Sequence, residues 1–401
     1  GAGIRTIVDK KLSFVYTSDF RRDALARLVE RAIALAHEAS PDEFNKLPSE
    51  KPRKVVMEIF DSELRSISLK RKIALIRDIE AAALAHDALI KRSDGAQYNE
   101  FYGTTEIANS HGLLYSFDSS NCTASVGAVA EKDGKMEAGY AQWSSPYFKR
   151  LPPPPVLGRK AAHEAVRLLG AKPVPTQKAP VVFDPELGFA LLAALGQALN
   201  GEEVNKGTSY MADKIGQRIG SDLVTIHDNG RLAQGSVSRP VDAEGVSTSD
   251  LVLVEKGILK SFIYDYRSAL KAGKKPTGNA VRGGYSNLPG VGFSNHYMEK
   301  GASKSEDIIK STQSGFYATR LSGWWLGLSP ANPEFSSAAS GLWIRNGELA
   351  EPVSGVTIGS TIPDMLAGID ALGDDLVFSG ATRCPTFRVR EMSISGVSDA
   401  G

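Results

Sequence analysis

Four consecutive prolines in "LPPPP" (Leu151–Pro155) set the strongest constraint on this chain. Each proline lacks a backbone donor and holds φ near −65°, so the run is expected to join neither a helix nor a central strand. It reads instead as a stiff, extended spacer. A chain of 401 residues is long for one compact core. The spacer divides it into an N-terminal domain, residues 1–150, and a larger C-terminal domain, residues 156–401.

The two parts differ in texture. A strand pair ("IRTIVD", "KLSFVYTSD") opens the chain. Apolar positions at Leu25, Leu28, Val29, Ala32, Leu35 and Ala36 then follow helical spacing, with Ser18 or Asp19 as the expected cap. A second helix is expected over roughly Leu69–Ala88, its stripe formed by Leu69, Ile73, Ile76, Ile79 and Ala83. From Ile90 to Trp143, "SDGA", "SHG" and "KDGK" punctuate short runs, which reads as an antiparallel meander. Beyond the prolines come a helix (Gly158–Leu169), a strand ("VVF") and a helix through "LLAALGQALNG" (Leu191–Gly201). The remainder is mostly β, with hairpins expected at Lys256-Gly257 and Asn346-Gly347 and one late helix, "TIPDMLAGIDAL". The class is α+β: a helix-plus-meander domain, then a larger β-rich domain with a few helices.

Lys plus Arg exceed Asp plus Glu by a single charge, 47 against 46, so no bulk charge drives binding to nucleic acid or a membrane surface. No apolar run reaches the ~20 residues of a membrane span, and the opening "GAGIRTIVDKKLSF" lacks a signal-peptide pattern. Cys122 and Cys384 are the only cysteines, too few for a disulfide scaffold. Together these features place the protein in the reducing cytoplasm.

Chemistry-bearing motifs are sparse. "HEAVRLL" (His163–Leu169) has Arg167 where a zincin helix needs its second histidine. The six histidines, 37, 86, 111, 163, 227 and 296, stand singly, without metal-ligand spacing. His227 precedes a turn and reads as structural. His296, among glycine, asparagine and tyrosine, has the better claim to a cleft. Arg383 beside Cys384 could lower a thiol pKa, yet no histidine partner is fixed in sequence. "GVG" at Gly290 lacks the third glycine of a dinucleotide site. The residues alone give no catalytic constellation, no metal site and no cofactor.

The second domain resembles the TldD/PmbA family, also called modulators of DNA gyrase. The resemblance rests on "GTSYMADKIG", "SRPVDAEGVSTSDLVLVEKGILKSFIYDYRSALKAG", "PTGNA", "SNHYMEKG", "ASGLWIRNGELAEPVSGVTI" and "GDDLVFSGATRCPTFRV". "LSFVYTSD", "IKRSDGA" and "ANSHGLLYSF" extend it more loosely over the N-terminal half. The family normally carries a further segment before "GIRTIVD". Its TldD-type members are implied to be metalloproteases with H-E-x-x-x-H on the helix after the domain's first strand and a cysteine ligand near the C-terminus. TldE (PmbA)-type members lack these and pair with a TldD-type subunit. Matched to "LxG" at Leu199-Asn200-Gly201, the three motif positions fall on Leu192, Ala193 and Gln197, and Cys384 falls at a non-ligand position. Leucine cannot ligate a cation, and alanine cannot take a proton from a metal-bound water.

The resemblance therefore implies a non-catalytic TldE/PmbA-like subunit, partnered with a TldD-like metalloprotease as a heterodimer, or with itself when alone. Its substrate class is unfolded or extended peptide. Leu191, Leu192 and Leu195 are expected in the core. "SRPVDAEG" (Ser238–Gly245), "PTGNA" (Pro276–Ala280) and "SNHYM" (Ser294–Met298) are expected to line a peptide groove, with Arg239, Asp242, Glu244, Asn279, Asn295 and His296 as substrate-binding candidates. Two rival readings are a hydrolase built on Cys384 or His296, and a stand-alone peptide- or protein-binding protein.

Overall fold

The structure is a computed structural model and describes residues 1–396. Strands β1 (Ala2–Val8) and β2 (Lys11–Thr17) form the opening hairpin, and α1 (Arg22–Glu38) lies on it through Ala32 and Ala36. Ser13 Oγ ties the layers by donating to the Ala32 carbonyl at 2.6 Å. The expected cap is displaced: α1 starts after Arg21 without a side-chain cap, and Asp19 Oδ1 accepts the Arg21 N–H instead. Helix α2 (Leu69–Leu84) has its cap at Ser68, and only the Ile79 and Ala83 end of its stripe is buried.

Three long strands, β3 (Ile90–Ala108), β4 (Leu114–Lys132) and β5 (Lys135–Ser145), form the meander. "SHG" and "KDGK" make its turns. "SDGA" does not: it lies inside β3 as an irregularity, with Gly95 at φ +99°, because one extra residue there is absorbed without breaking the ladder.

The proline run also departs from expectation. Pro154 and Pro155 occupy the first turn of α3 (Pro154–Val166). That turn has no intrahelical partners for its N–H groups, so prolines there forfeit nothing and arrive with helical φ. Helix α3 then packs on α2 and the meander, burying Leu157, Ala161, Ala162 and Ala165 against Ile79, Ala83, Val126 and Ala128. A Cβ on Gly158 would collide with the Ile79 carbonyl, so glycine permits the close approach. By packing, residues 154–166 belong with the N-terminal domain, and the seam falls after them.

The second domain begins with β6 (Gln177–Phe183), α4 (Gly188–Ala198) and α5 (Gly201–Asn205). There follow β7 (Ile226–Asn229), β8 (Asp250–Glu255), β9 (Ile258–Leu259), α6 (Tyr266–Lys271) and the short pair β10 (Ala280–Val281) and β11 (Gly290–Val291). Next are β12 (Asn295–Met298), α7 (Ser305–Lys310), β13 (Ser314–Ser322), β14 (Glu334–Arg345) and β15 (Glu348–Thr361). Helix α8 (Ile362–Gly368), β16 (Ile369–Leu372), β17 (Thr382–Arg383) and β18 (Phe387–Ser395) end the described chain.

One sheet runs β15-β14-β13-β6-β18-β16, and β15 also pairs with β18, so five of its strands close on themselves. A second sheet runs β17-β12-β7-β8-β9. Both expected hairpins form, with Asn346 and Gly347 at φ +53° and +78°, as a two-residue turn of this hand demands. Phe183 and Phe387 stack at 4.7 Å in the core that α4 shares.

Candidate functional site

Helix α4 starts at Gly188, where a Cβ would collide with Cys384. Leu191, Leu192 and Leu195 turn inward and are at most 1% exposed, as their spacing predicts. Phe189, Ala193 and Gln197, at i, i+4 and i+8, share the outward face, with Gln197 exposed. Phe189 meets Trp324 edge-on at 5.0 Å. Trp324 opens a short turn (Trp324–Gly327) that holds Trp325 and Leu326 in solvent. Leu192, Ala193 and Gln197 thus offer a hydrocarbon, a methyl group and an amide, which do not fit a resident metal. Among the described residues no three His, Cys, Asp or Glu side chains are grouped to hold an ion.

The three segments expected to form a groove do converge, but they pack into the interior. Asp242 Oδ1 accepts from the Glu244 and Val246 N–H groups, and Oδ2 accepts from Ala280 N–H at 3.0 Å. Asn279 Nδ2 donates to Asp228 and to the Gly292 carbonyl, while Ser294 reaches the same Asp228 through N–H and Oγ. Asn295 Nδ2 donates to the Asn229 carbonyl and to Ser238 Oγ. Asp242, Glu244, Asn279, Asn295 and His296 are all buried, and Arg239 is partly buried with Nε and Nη2 unpartnered among the described residues. Asp242, Glu244 and Asn279 find their partners within the fold, the usual condition for burying them, whereas Asn295 Oδ1 and His296 Nε2 have none among the described residues. Burial, then the Glu244 charge, pushes the Asp242 carboxyl up to about 7, against three backbone donors that favour the anion. Asp228 is raised by burial too.

His296 is not a cleft residue. It is 1% exposed, stacks on Phe293 at 4.1 Å, and burial drives its pKa down to about 3. The Phe293 ring also fills the space that a side chain on Gly196 of α4 would need. Cys384 is sealed against Gly188, and burial raises its thiol well above the ordinary range. Both side chains are 1% exposed and so out of a substrate's reach, which weakens the Cys384 or His296 hydrolase reading. His227 is structural: Nδ1 faces Asp250 and Nε2 faces Glu299, each at 2.8 Å, so no ring nitrogen is free for a metal.

Several functional-looking groups escape sequence reading because their partners lie far along the chain. Arg5 of β1 pairs with Glu244 at 2.6 Å, and Arg267 of α6 pairs with Asp42. At the seam, Arg167 after α3 pairs with Glu164 and lies 3.9 Å from Asp184, whose carboxylate also accepts from Tyr317 Oη. Burial lifts Glu164 to about 7, with Arg167 opposing. Glu164 of "HEAVRLL" therefore holds Arg167, and it is Arg167 that faces Asp184 of the second domain.

Comparison with known proteins agrees with this architecture. Residues 1–36, 62–169 and 176–396 match, in order, domain 1, the central domain and the C-terminal domain of the PmbA/TldA metallopeptidases. Metalloprotease PmbA of Escherichia coli O157:H7 is 30% identical over 98% of this chain and 85% of its own length. A Metalloprotease TldD homolog of Buchnera aphidicola is 29% identical over 94% of this chain and 79% of its own. Among solved structures, a Thermotoga maritima protein described as a modulator of a DNA gyrase superposes with a TM-score of 0.88 at 26% identity, covering 98% of this chain and 88% of that one. TldE from Thermococcus kodakarensis shares the fold, with a TM-score of 0.87 at 22% identity over 98% and 89% of the two chains. On the domains it matches and the relatives it resembles along nearly its whole length, the chain belongs to the PmbA/TldD metallopeptidase family.

Proposed function

We propose that this chain is a TldE/PmbA-type subunit without its own metal centre, working with a TldD-type metalloprotease subunit on unfolded or extended peptides in the cytoplasm. One observation carries the reading: α4, on which the resemblance places the metal motif, presents Leu192, Ala193 and Gln197. None of the three can bind a cation or activate its water. The partner then supplies the metal, and this chain supplies one wall of the chamber. Trp325 and Leu326, exposed beside α4, are the kind of apolar surface that marks a contact with another molecule. Two subunits of one fold make a pseudo-symmetric pair, and a lasting pair buries on the order of 2,000 Å². Alone, the same surface serves a homodimer. No helix among the described residues is long and apolar enough to cross a membrane.

The test is reconstitution with a TldD-type subunit from the same organism, assayed on an unstructured peptide. The expected result is cleavage by the pair and none by this chain alone. Robust cleavage by this chain, or full activity of the partner without it, overturns the proposal.

A further inference from the structure

A second feature lies away from α4, where the N-terminal hairpin meets α6. A cleft of about 740 Å³ opens there between β1–β2, the Ser40–Asn45 loop and the segments around Asp265 and Leu288. Its size falls within the range of small-ligand sites, about 300–1,000 Å³. Leu12, Phe44, Leu288 and Pro289 give it apolar walls. Its charged lining holds four carboxylates, Asp42, Glu43, Glu244 and Asp265, against two guanidinium groups, Arg5 and Arg267.

Hydrogen bonding within this lining is uneven. Glu244 has both oxygens engaged, Oε1 accepting from Arg5 and Oε2 from the Tyr266 N–H. Asp42 accepts from Phe44 N–H and from Arg267, and Asp265 Oδ1 caps α6 through Ser268. Glu43 is exposed and makes no ion pair or hydrogen bond among the described residues. Of five N–H donors on each guanidinium, Arg5 gives Nη1 to Glu244; Arg267 gives Nη2 to Asp42, has Nη1 3.9 Å from Glu202 and keeps Nε buried, so Arg5 has the more spare donors. The cleft therefore combines spare donors with a formal excess of two negative charges. Spare donors suit carbonyl oxygens, and the negative excess repels a free anion and attracts a cation. A free phosphate or carboxylate meets only one of these conditions. A peptide with a basic side chain meets both.

We propose that this cleft is a peptide subsite that takes a short extended stretch carrying lysine or arginine. Main-chain carbonyls face Arg5 and Arg267, and the cationic side chain faces Glu43. The proposal rests on the reading of this chain as a peptide-handling subunit and adds a substrate preference to it. Glu244, the one substrate-binding candidate from the sequence that lines this cleft, holds Arg5 in place there.

The test uses the full chain alone and fluorescence anisotropy with two labelled hexapeptides, AAKAAA and AAEAAA. The expected result is that the lysine peptide binds about tenfold tighter at low salt, as a close charge contact allows, and that the preference shrinks in 0.5 M NaCl. Glu43→Lys, at an exposed position, is expected to abolish or invert the preference. Arg5→Lys keeps the charge beside Glu244 but removes the fork of donors, and is expected to weaken both peptides together while leaving their ratio. Equal binding of the two peptides, an unchanged ratio in the Glu43→Lys chain, or undiminished binding in the Arg5→Lys chain overturns the proposal. No TldD-type partner enters this assay. A lost preference therefore leaves the reconstitution result standing, and a failed reconstitution leaves the preference standing.

Discussion

Replacing Leu192 by alanine tests how α4 faces the core. Leu192 is 0% exposed and sits among the buried residues that α4 shares with both sheets and α8. The substitution removes three carbons, which at about 0.8 kcal/mol per buried CH₂ is roughly 2.4 kcal/mol. The surrounding core relaxes only in part, and the cavity left behind raises the cost to about 3–5 kcal/mol. For a domain of this size each kcal/mol lowers Tm by about 2–4 °C, so a fall of roughly 6–20 °C is expected by calorimetry. Gln197→Ala, on the exposed face of the same helix, is the matched control and is expected within about 0.5 kcal/mol of the parent. Urea midpoints for the three chains give the comparison independently. If Leu192→Ala were as mild as Gln197→Ala, Leu192 would face open space, and the description of α4 as a core helix would be wrong.

Three further outcomes are expected. Glu164 has its pKa raised from 4.5 to about 7 in the folded chain, so the native state holds that proton more tightly than the unfolded chain does. Its contribution to stability is present below about pH 4.5 and is lost as pH rises to about 7; relative to the parent, Glu164→Gln should therefore gain stability across that window, and a relative loss refutes the assignment. Cys122 and Cys384 are buried and their thiols are raised by burial, so a disulfide-exchange reagent should label neither in the native chain and both in denaturant; rapid native labelling of either would contradict the packing. Asn279→Ala leaves buried Asp228 short of a donor and should destabilise by about 1–3 kcal/mol in chemical denaturation, against near zero if the side chain only lined a groove.

The elements that the sequence disclosed were those whose signal is local. The opening hairpin, α2, the Asn346-Gly347 turn and the core side of α4 follow from period and turn chemistry within a dozen residues. Misreadings arose where one local signal has two structural solutions. Four prolines can be a spacer or the first turn of a helix, and contact with α2 and the meander decided for the helix. "SDGA" can be a turn or a bulge, and the ladder continuing on both sides decided for the bulge.

Composition, charge balance, the ordered signatures of the second domain and the absence of His, Cys, Asp and Glu along α4 are properties of the residues themselves, and the sequence alone determined them. Which polar residues face inward is not such a property. "SRPVDAEG", "PTGNA" and "SNHYM" have the composition of exposed loops, and they are buried because Asp228 accepts from Asn279 and Ser294, and Asp242 from the Ala280 N–H, across 38 to 66 residues of chain. The cleft at Arg5 and Arg267 joins residues 239 and 225 positions apart. Contacts of that range leave no periodic trace, since their partners become neighbours only when the domains close on each other.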